Sequence, residues 1–173
     1  MGYVIRGILV IIMQYIDKHM YKPVHRVRNI VEADNLDIMG LHLNTLLYIE
    51  YLPGHIDKAH THDFWHLFYV TKGEGVIAIN DIEEEVCSGH IAIVHPFHEH
   101  YFRNISGGIT SVVEIKWEYS DQVIEVFSPP ACSGFFRDRY GLRQYINRII
   151  EEIVHQPIGW KLILKAIVFE LLV

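Results

Sequence analysis

The chain of 173 residues is long enough for one domain with a full core, and half of its residues are hydrophobic. Its formal net charge of -6 argues against binding nucleic acid by itself, because phosphate binding requires a concentrated excess of Lys and Arg. The two cysteines, Cys87 and Cys132, are too few for a disulfide framework, so a reducing cytoplasm is the expected location.

Residues 1–37 form an N-terminal segment of uncertain structure, because their apolar and basic clusters follow no clear period. The apolar run at 8–13 falls well short of the roughly 20 residues that span a bilayer, and no small-residue cleavage site follows it. We therefore expect neither membrane insertion nor an export signal here.

Short apolar, aromatic and β-branched segments follow one another between residues 38 and 120. A tight turn at Asn80-Asp81 joins two of them, and the turn signal Ser106-Gly107-Gly108 precedes the last. Because no helical pattern interrupts these segments, they predict an all-β sandwich or barrel.

The pattern changes after the prolines at 129 and 130. Apolar residues between 142 and 154 recur at the spacing of one stripe on a helix, which Gln156-Pro157 ends. A second helix from about residue 158 has little polar surface and must be buried against something. This predicts a linker at 121–136 and a helical hairpin at 137–173, whose abrupt apolar end at Val173 is typical of a truncated chain.

Histidines are concentrated between Gly54 and Asn104, which hold eight of the twelve. His60 and His62 face the same side of a strand, and a barrel would direct both inward. His66 has the same parity and His100 arrives from another strand, so we expect four imidazoles to converge. Such a set suits a divalent Zn, Ni, Fe or Cu ion rather than Mg or Ca.

The spacing around these histidines resembles the two motifs of the cupin family. The matching positions are Gly54, His60, His62, His66 and Gly73 in the first motif, and Gly89, Pro96, His100 and Asn104 in the second. His66 stands where the family usually has glutamate, Pro96 is displaced by one residue, and Phe97 replaces a glycine. The resemblance implies a mainly β fold, with a cupin barrel (a double-stranded β-helix, or jelly roll) at 38–120 followed by the helical hairpin.

The replacement of glutamate by His66 alters the chemistry expected of the site. Four neutral ligands leave a divalent ion its full charge of about +2, which favours an anionic ligand such as a carboxylate. Since imidazole binds metal only when neutral, we expect occupancy to fall below about pH 6.5. The alternative is that these histidines line the barrel and contact an organic ligand without a metal.

Several other side chains have the parity or position of pocket residues. His95 lies at a turn and is expected to be structural, whereas His55 and His90 are expected at the surface. The candidates for an effector pocket are Phe64, Phe68, His98, Tyr101 and Phe102.

The combination of a cupin barrel, a linker and two helices resembles the N-terminal half of bacterial regulators of the AraC family. That resemblance implies a barrel that binds a small-molecule effector, helices at 137–173 that form a homodimer, and DNA binding only through a C-terminal domain absent here. It implies a protein that is not an enzyme. The alternative is a metal-dependent cupin enzyme, either a dioxygenase or an isomerase.

Overall fold

The computed structural model describes residues 25–32, 37–38, 40–120 and 132–172, and the apolar run at 8–13 lies outside them. Among the described residues are ten strands and two helices. The strands are β1 (His25–Glu32), β2 (Asp37–Ile38), β3 (Leu41–Tyr51), β4 (Trp65–Lys72), β5 (Glu74–Ile79), β6 (Ile82–Cys87), β7 (His90–Val94), β8 (His100–Asn104), β9 (Thr110–Tyr119) and β10 (Gly134–Arg137). The helices are α1 (Arg143–His155) and α2 (Trp160–Leu172).

The strands form two sheets. The larger sheet has the order β1-β3-β9-β4-β7-β10, with β2 pairing β3, and the smaller sheet has the order β6-β5-β8. The pairings between β3, β9, β4 and β7 are antiparallel, as are those within the smaller sheet. The prediction of a mainly β cupin jelly roll followed by a helical hairpin is confirmed.

The strands extend beyond the range 38–120 that the sequence indicated. β1 lies in the segment at 1–37 and pairs with β3, while β10 lies in the predicted linker at 121–136 and pairs with β7. The remainder of that linker, 121–131, lies outside the described residues. With β1 and β10, the larger sheet includes residues on both sides of the predicted range. The first helix begins at Arg143, within the range 137–173 predicted for the hairpin.

Two hydrophobic clusters lie on opposite faces of the larger sheet. One fills the space between the two sheets and includes Phe68, Ile77, Phe102 and Val112. The other lies between the larger sheet and the helices. It includes residues of β3, β4, β7 and β9 together with Ile146, Ile149, Ile153, Leu164, Ile167 and Val168.

Most of the apolar stripe of α1 is buried within the chain. Ile146, Ile149 and Ile153 are each at most 1% exposed and pack in the cluster under the helices. The sheet and α2 cover these three residues, so they are not available to a second copy, and the homodimer expected of the helices stays a prediction. No helix among the described residues combines the length and hydropathy that crossing a membrane requires.

Gly73 shows why the first cupin motif ends in glycine. Its φ of +81° suits a residue without a side chain, and an added Cβ would lie 2.8 Å from the Ile109 carbonyl oxygen. The turn between β4 and β5 can therefore approach the start of β9, which holds β4 and its histidine in the sheet.

Candidate metal centre

The four candidate metal ligands lie at one end of the space between the sheets. His66 is the second residue of β4 and His100 is the first residue of β8. His60 precedes β4 and pairs with His100 through an isolated antiparallel bridge, in which each backbone N–H donates to the other's carbonyl at 3.1 and 3.0 Å. Backbone pairing thus places His60 directly beside a histidine 40 residues further along the chain.

The imidazoles converge on a common point. One ring nitrogen from each of His60, His62 and His100 lies within 4.8 Å of the others. The Nδ1 atom of His66 lies 3.3 Å from His62 Nε2 and 3.2 Å from His100 Nε2. Nitrogens bound tetrahedrally to one Zn at 2.0–2.1 Å are about 3.3 Å apart, so these spacings fit a metal site.

Backbone carbonyls fix the orientation of three rings. The Nδ1 atom of His60 lies 3.0 Å from the Lys58 carbonyl oxygen, that of His62 lies 2.9 Å from the Phe64 oxygen, and that of His100 lies 3.0 Å from the His98 oxygen. A carbonyl only accepts, so each Nδ1 carries the proton and each Nε2 presents a lone pair. Metal-binding histidines typically donate their other N–H to a carbonyl or carboxylate.

His66 has the opposite tautomer. Its Nε2 lies 3.1 Å from Glu114 Oε2, and a carboxylate only accepts, so Nε2 carries the proton and Nδ1 is bare. The bare Nδ1 faces the bare Nε2 atoms of His62 and His100, and none of these contacts contains a hydrogen. Lone pairs that face one another at 3.2–3.3 Å repel unless a cation lies between them, so this arrangement fits a bound metal ion.

Burial keeps three of the ligands in the neutral form that binds metal. Burial lowers the pKa of His66 to about 3 and that of His100 to about 4, and burial also lowers the pKa of His62. Burial disfavours the charged imidazolium, so the lone pairs of His66 and His100 stay available well below neutral pH. The donor set, all imidazole nitrogen, suits a transition metal rather than Mg or Ca.

Glu114 and Tyr51 were not identified from the sequence. Glu114 is 3% exposed on β9, accepts from His66 and from the hydroxyl of Tyr51, and lies 3.8 Å from Lys116 Nζ. Burial raises the pKa of Glu114, but the His66 and Tyr51 hydrogen bonds and the Lys116 charge outweigh this and lower it to about 2. Burial and the neighbouring carboxylate raise the pKa of Tyr51 well above its ordinary value, so its hydroxyl is a donor.

The signal for Glu114 is present in the sequence. It is a lone acid between Val112, Val113 and Ile115 in an otherwise apolar run, with the parity that faces the barrel interior. A buried carboxylate needs partners, so an acid in such a run predicts a buried polar site.

Two of the five predicted pocket residues contact the histidines, and a third lies in the hydrophobic cluster between the sheets. Phe64 stacks on His62 at 3.8 Å between ring centroids, and Phe68 lies 3.9 Å from His66. Phe102 is fully buried in the cluster between the sheets and stacks on Tyr51.

The other two predicted pocket residues lie elsewhere. Tyr101 faces outward, since β8 alternates and its hydroxyl donates to the exposed Glu83. The ring of His98 contacts Ser133 and His95 instead of the cluster.

His55 and His90 correct the expectation of surface positions. His55 is 3% exposed, contacts Asp57 Oδ1 at 2.6 Å and lies against the ring of Tyr51. His90 is 7% exposed, and its Nδ1 accepts from the Cys87 backbone N–H at the turn between β6 and β7. In each ring one nitrogen has a polar partner within hydrogen-bond distance, which offsets part of the cost of burial.

The site opens to solvent on the side of His60, which is exposed, while His66 at the opposite end is 1% exposed. Phe97 stands at this entrance, because its backbone N–H donates to the His62 carbonyl oxygen at 2.7 Å while its side chain is 74% exposed. A small molecule can therefore reach His60 and His62 without rearrangement of the core.

A second cavity of about 680 Å³ lies on the other face of the larger sheet. Its walls include Trp117 from β9 and Leu171 and Leu172 from α2, all of which belong to or pack against the cluster under the helices. The cavity is therefore separated from the histidines by the sheet.

A family model for the cupin domain matches residues 47–116, a range that includes all four histidines and Glu114. The chain therefore contains a cupin domain, and this part of the predicted resemblance is confirmed. Comparison with curated proteins gives no significant match. These findings do not show a link to AraC-family regulators.

Several solved structures are similar to this chain. A predicted oxalate decarboxylase from Thermotoga maritima is 17% identical with a TM-score of 0.42, and the match covers 43% of this chain and 65% of that protein. A protein from Thermus thermophilus is 27% identical with a TM-score of 0.38, and the match covers 41% of this chain and 70% of that protein. An oxalate oxidase is 15% identical with a TM-score of 0.48, and the match covers 58% of this chain and 53% of that protein.

The chain thus spans about two thirds of the Thermotoga protein and about half of the oxalate oxidase. The expectation that this protein is not an enzyme is wrong as an exclusion, since the similar structures include an oxalate oxidase and a predicted oxalate decarboxylase.

Proposed function

We propose that this cupin-domain protein is a metal-dependent enzyme that acts on a small anionic molecule, with the ion held by His60, His62, His66 and His100. The observation that carries the proposal is the convergence of ring nitrogens, with one atom from each of His60, His62 and His100 within 4.8 Å of the others. The neighbouring carbonyls and Glu114 hold the tautomers in which the lone pairs of His62, His66 and His100 face one another, which a bound cation explains.

The neutral ligand set favours an anionic substrate. A divalent ion held by imidazoles alone would supply positive charge and Lewis acidity to a carboxylate oxygen. The protein contributes a fixed set of nitrogens, the apolar rings of Phe64 and Phe68 beside them, and an entrance at His60. A small carboxylic acid fits these features, and oxidation and isomerisation are the two reaction classes proposed.

Metal analysis and turnover test the proposal together. The purified protein is stripped with chelator, reloaded separately with Mn, Fe, Ni, Cu and Zn, and assayed by NMR and oxygen uptake with acetate, oxalate, malonate and benzoate for oxidation and with the aldose acid D-glucuronate for isomerisation. We expect stoichiometric metal and conversion of at least one acid in one metal form, with both lost in His60→Ala/His62→Ala. Equal metal content in the variant would contradict the ligand assignment, and an absence of turnover with every acid would contradict the enzyme.

A second candidate is the effector-binding and dimerisation domain of an AraC-family regulator in the cytoplasm, where DNA binding would come from a further domain. The observation that favours it is an apolar surface left on the helical hairpin after the core is packed. Val154, Ile158 and Leu162 are 48%, 105% and 73% exposed. Such a surface suits a homodimer made by the hairpin, although only Val154 of these three residues belongs to the stripe that the sequence indicated.

Sedimentation analysis tests this second candidate. We expect a dimer at micromolar concentration that Leu162→Glu converts to a monomer, and an acid that binds without being converted. Glu151→Lys, a change at an exposed position of α1, serves as the control and should leave the dimer intact if the apolar surface is the contact. A monomeric wild type would contradict dimerisation by the hairpin.

A further inference from the structure

With His66 as a ligand, no negatively charged side chain among the four ligands balances the charge of the metal ion. His66 occupies the position of the glutamate ligand in the cupin motif, so the ligand set contains no anion. The structure nevertheless places a carboxylate one side chain further back, where Glu114 Oε2 lies 3.1 Å from His66 Nε2. Both residues are at most 3% exposed, so little water screens the charge between them and the four nitrogens.

The hydrogen bonds at Glu114 have fixed directions. Tyr51 O–H donates to Oε1 and His66 N–H donates to Oε2, so both carboxylate oxygens accept from a buried donor. The bond from His66 holds its proton on Nε2 and turns bare Nδ1 toward His62 and His100. Without Glu114, the proton of His66 is free to move to Nδ1, where it would point at the neighbouring lone pairs.

Lys116 is a further charged group close to this carboxylate. Its Nζ lies 3.8 Å from Glu114 Oε2 and its side chain is 21% exposed, so it is partly solvated and does not replace the buried donors. The strongest partners of Glu114 are therefore Tyr51 and the metal-facing histidine. An acid needed for packing alone would not require that pairing.

We propose that Glu114 is a positioning residue that, supported by Tyr51, holds His66 as the fourth metal ligand and supplies the negative charge that the imidazole ligands lack. This inference rests on the proposed function, because it concerns the same ion. It goes beyond that function because it assigns the compensating negative charge to Glu114, which contacts the ligand His66 and does not itself bind the ion. Outer partners of this kind typically change metal affinity by about 10- to 100-fold.

The first test uses the unmodified, metal-free protein. Two-dimensional ¹⁵N NMR of the imidazole rings distinguishes the two neutral tautomers. We expect His66 in the Nε2–H form, and His60, His62 and His100 in the Nδ1–H form. An Nδ1–H tautomer at His66 would overturn the inference, whatever the protein's activity. A correct tautomer in a protein that binds no metal would instead overturn the proposed function.

The second test compares zinc affinities by competition with a chromophoric chelator. Glu114→Gln keeps the shape and removes the charge, and we expect it to weaken Zn binding about 10- to 100-fold. The matched control is Glu118→Gln on the same strand, whose carboxylate accepts from Asn44 near solvent and whose loss should leave the affinity unchanged. Tyr51→Phe should give a smaller loss than Glu114→Gln.

Cobalt gives a spectroscopic readout in the same variants. The visible bands of the Co-loaded wild type should shift in Glu114→Gln and stay unchanged in Glu118→Gln. If Glu114→Gln fails to fold, Glu114→Asp retains the charge at a longer reach and should bind Zn more weakly than the wild type. Wild-type Zn affinity in the folded Glu114 variant would overturn the inference.

Discussion

The two faces of the larger sheet are both buried, but they do different work. Along β4, His66 and Phe68 face the space between the sheets, whereas Leu67 and Tyr69 face the helices. Along β9, Glu114 faces the histidines while its neighbours face the helices. The helix-side face carries a cluster of apolar side chains that stabilises the fold, with a cavity beside α2. On the inner face, part of the area is occupied by the polar groups that form the site.

Helix-side substitutions should separate stability from metal binding most strongly. Ile149→Ala removes a fully buried side chain from the cluster under the helices, and we expect a loss of about 2–5 kcal/mol in the free energy of unfolding. The matched control Ile158→Ala removes a side chain that is 105% exposed and should change it by less than about 0.5 kcal/mol. Urea denaturation measures both variants.

The same pair sharpens the comparison of the two faces. Zn affinity of the folded Ile149→Ala protein should equal that of the wild type, because the sheet lies between the substitution and the histidines. A loss of Zn affinity as large as that of His60→Ala/His62→Ala would show that the two faces are coupled. The assignment of stability to one face and metal binding to the other would then be wrong.

Lowering the pH should reduce the free energy of unfolding, because the buried histidines of the inner face resist protonation. The pKa of His66 is lowered to about 3 and that of His100 to about 4, so the unfolded chain binds protons below about pH 6.5 that the folded chain does not. Stability from these groups is complete above pH 6.5 and is lost as the pH falls toward the folded values. The slope is up to about 1.4 kcal/mol per pH unit for each histidine.

Denaturation of the metal-free protein at pH 7, 6 and 5 measures this slope, and His100→Gln should remove about half of the part that His66 and His100 contribute. An unchanged slope in His100→Gln would contradict the assignment. The expectation that metal occupancy falls below about pH 6.5 uses the ordinary value of histidine. Because burial lowers the pKa of His66 and His100, these two ligands should keep the ion to lower pH than the sequence indicated.

The fold class and the candidate histidine ligands could be predicted from the sequence because both depend on short-range patterns. Glycines such as Gly73, at fixed spacing from the His60-Thr61-His62 triplet, reflect turns that only a particular backbone conformation allows. The alternation of β8 likewise predicts that His100 and Phe102 face inward. It also predicts Tyr101 on the outer face, so its assignment to the pocket did not follow the parity of its own strand.

The contacts that the sequence could not supply join residues far apart in the chain. Tyr51, His66 and Glu114 meet across β3, β4 and β9, and the pairing of those strands fixes which residues are opposite one another. His55 and His90 were misplaced for a similar reason, since a histidine is buried where a partner satisfies its ring. Composition predicts that an acid or a histidine needs a partner, but only the register of the strands identifies it.

The smallest expected change in the free energy of unfolding concerns Phe97, which lies at the entrance to the histidine site. The backbone N–H of His98 donates to the His95 carbonyl oxygen at 3.2 Å, which closes a turn with Pro96 and Phe97 at its centre. Phe97 has a φ of +67°, the conformation in which a turn of this kind prefers glycine. A non-glycine residue there costs about 1–2 kcal/mol, and the exposed ring recovers little of it by burial.

Comparing Phe97→Gly with Phe97→Ala isolates that strain, because both variants remove the ring and only glycine relieves the backbone. We expect the glycine variant to be more stable than the alanine variant by about 1 kcal/mol in urea denaturation, less than the full strain because glycine also loses more backbone entropy on folding. Equal stability would mean that the turn is unstrained. A stable glycine variant that binds benzoate more weakly than the wild type, with acetate binding unchanged, would show that the strain keeps an aromatic ring at the entrance for contact with the substrate.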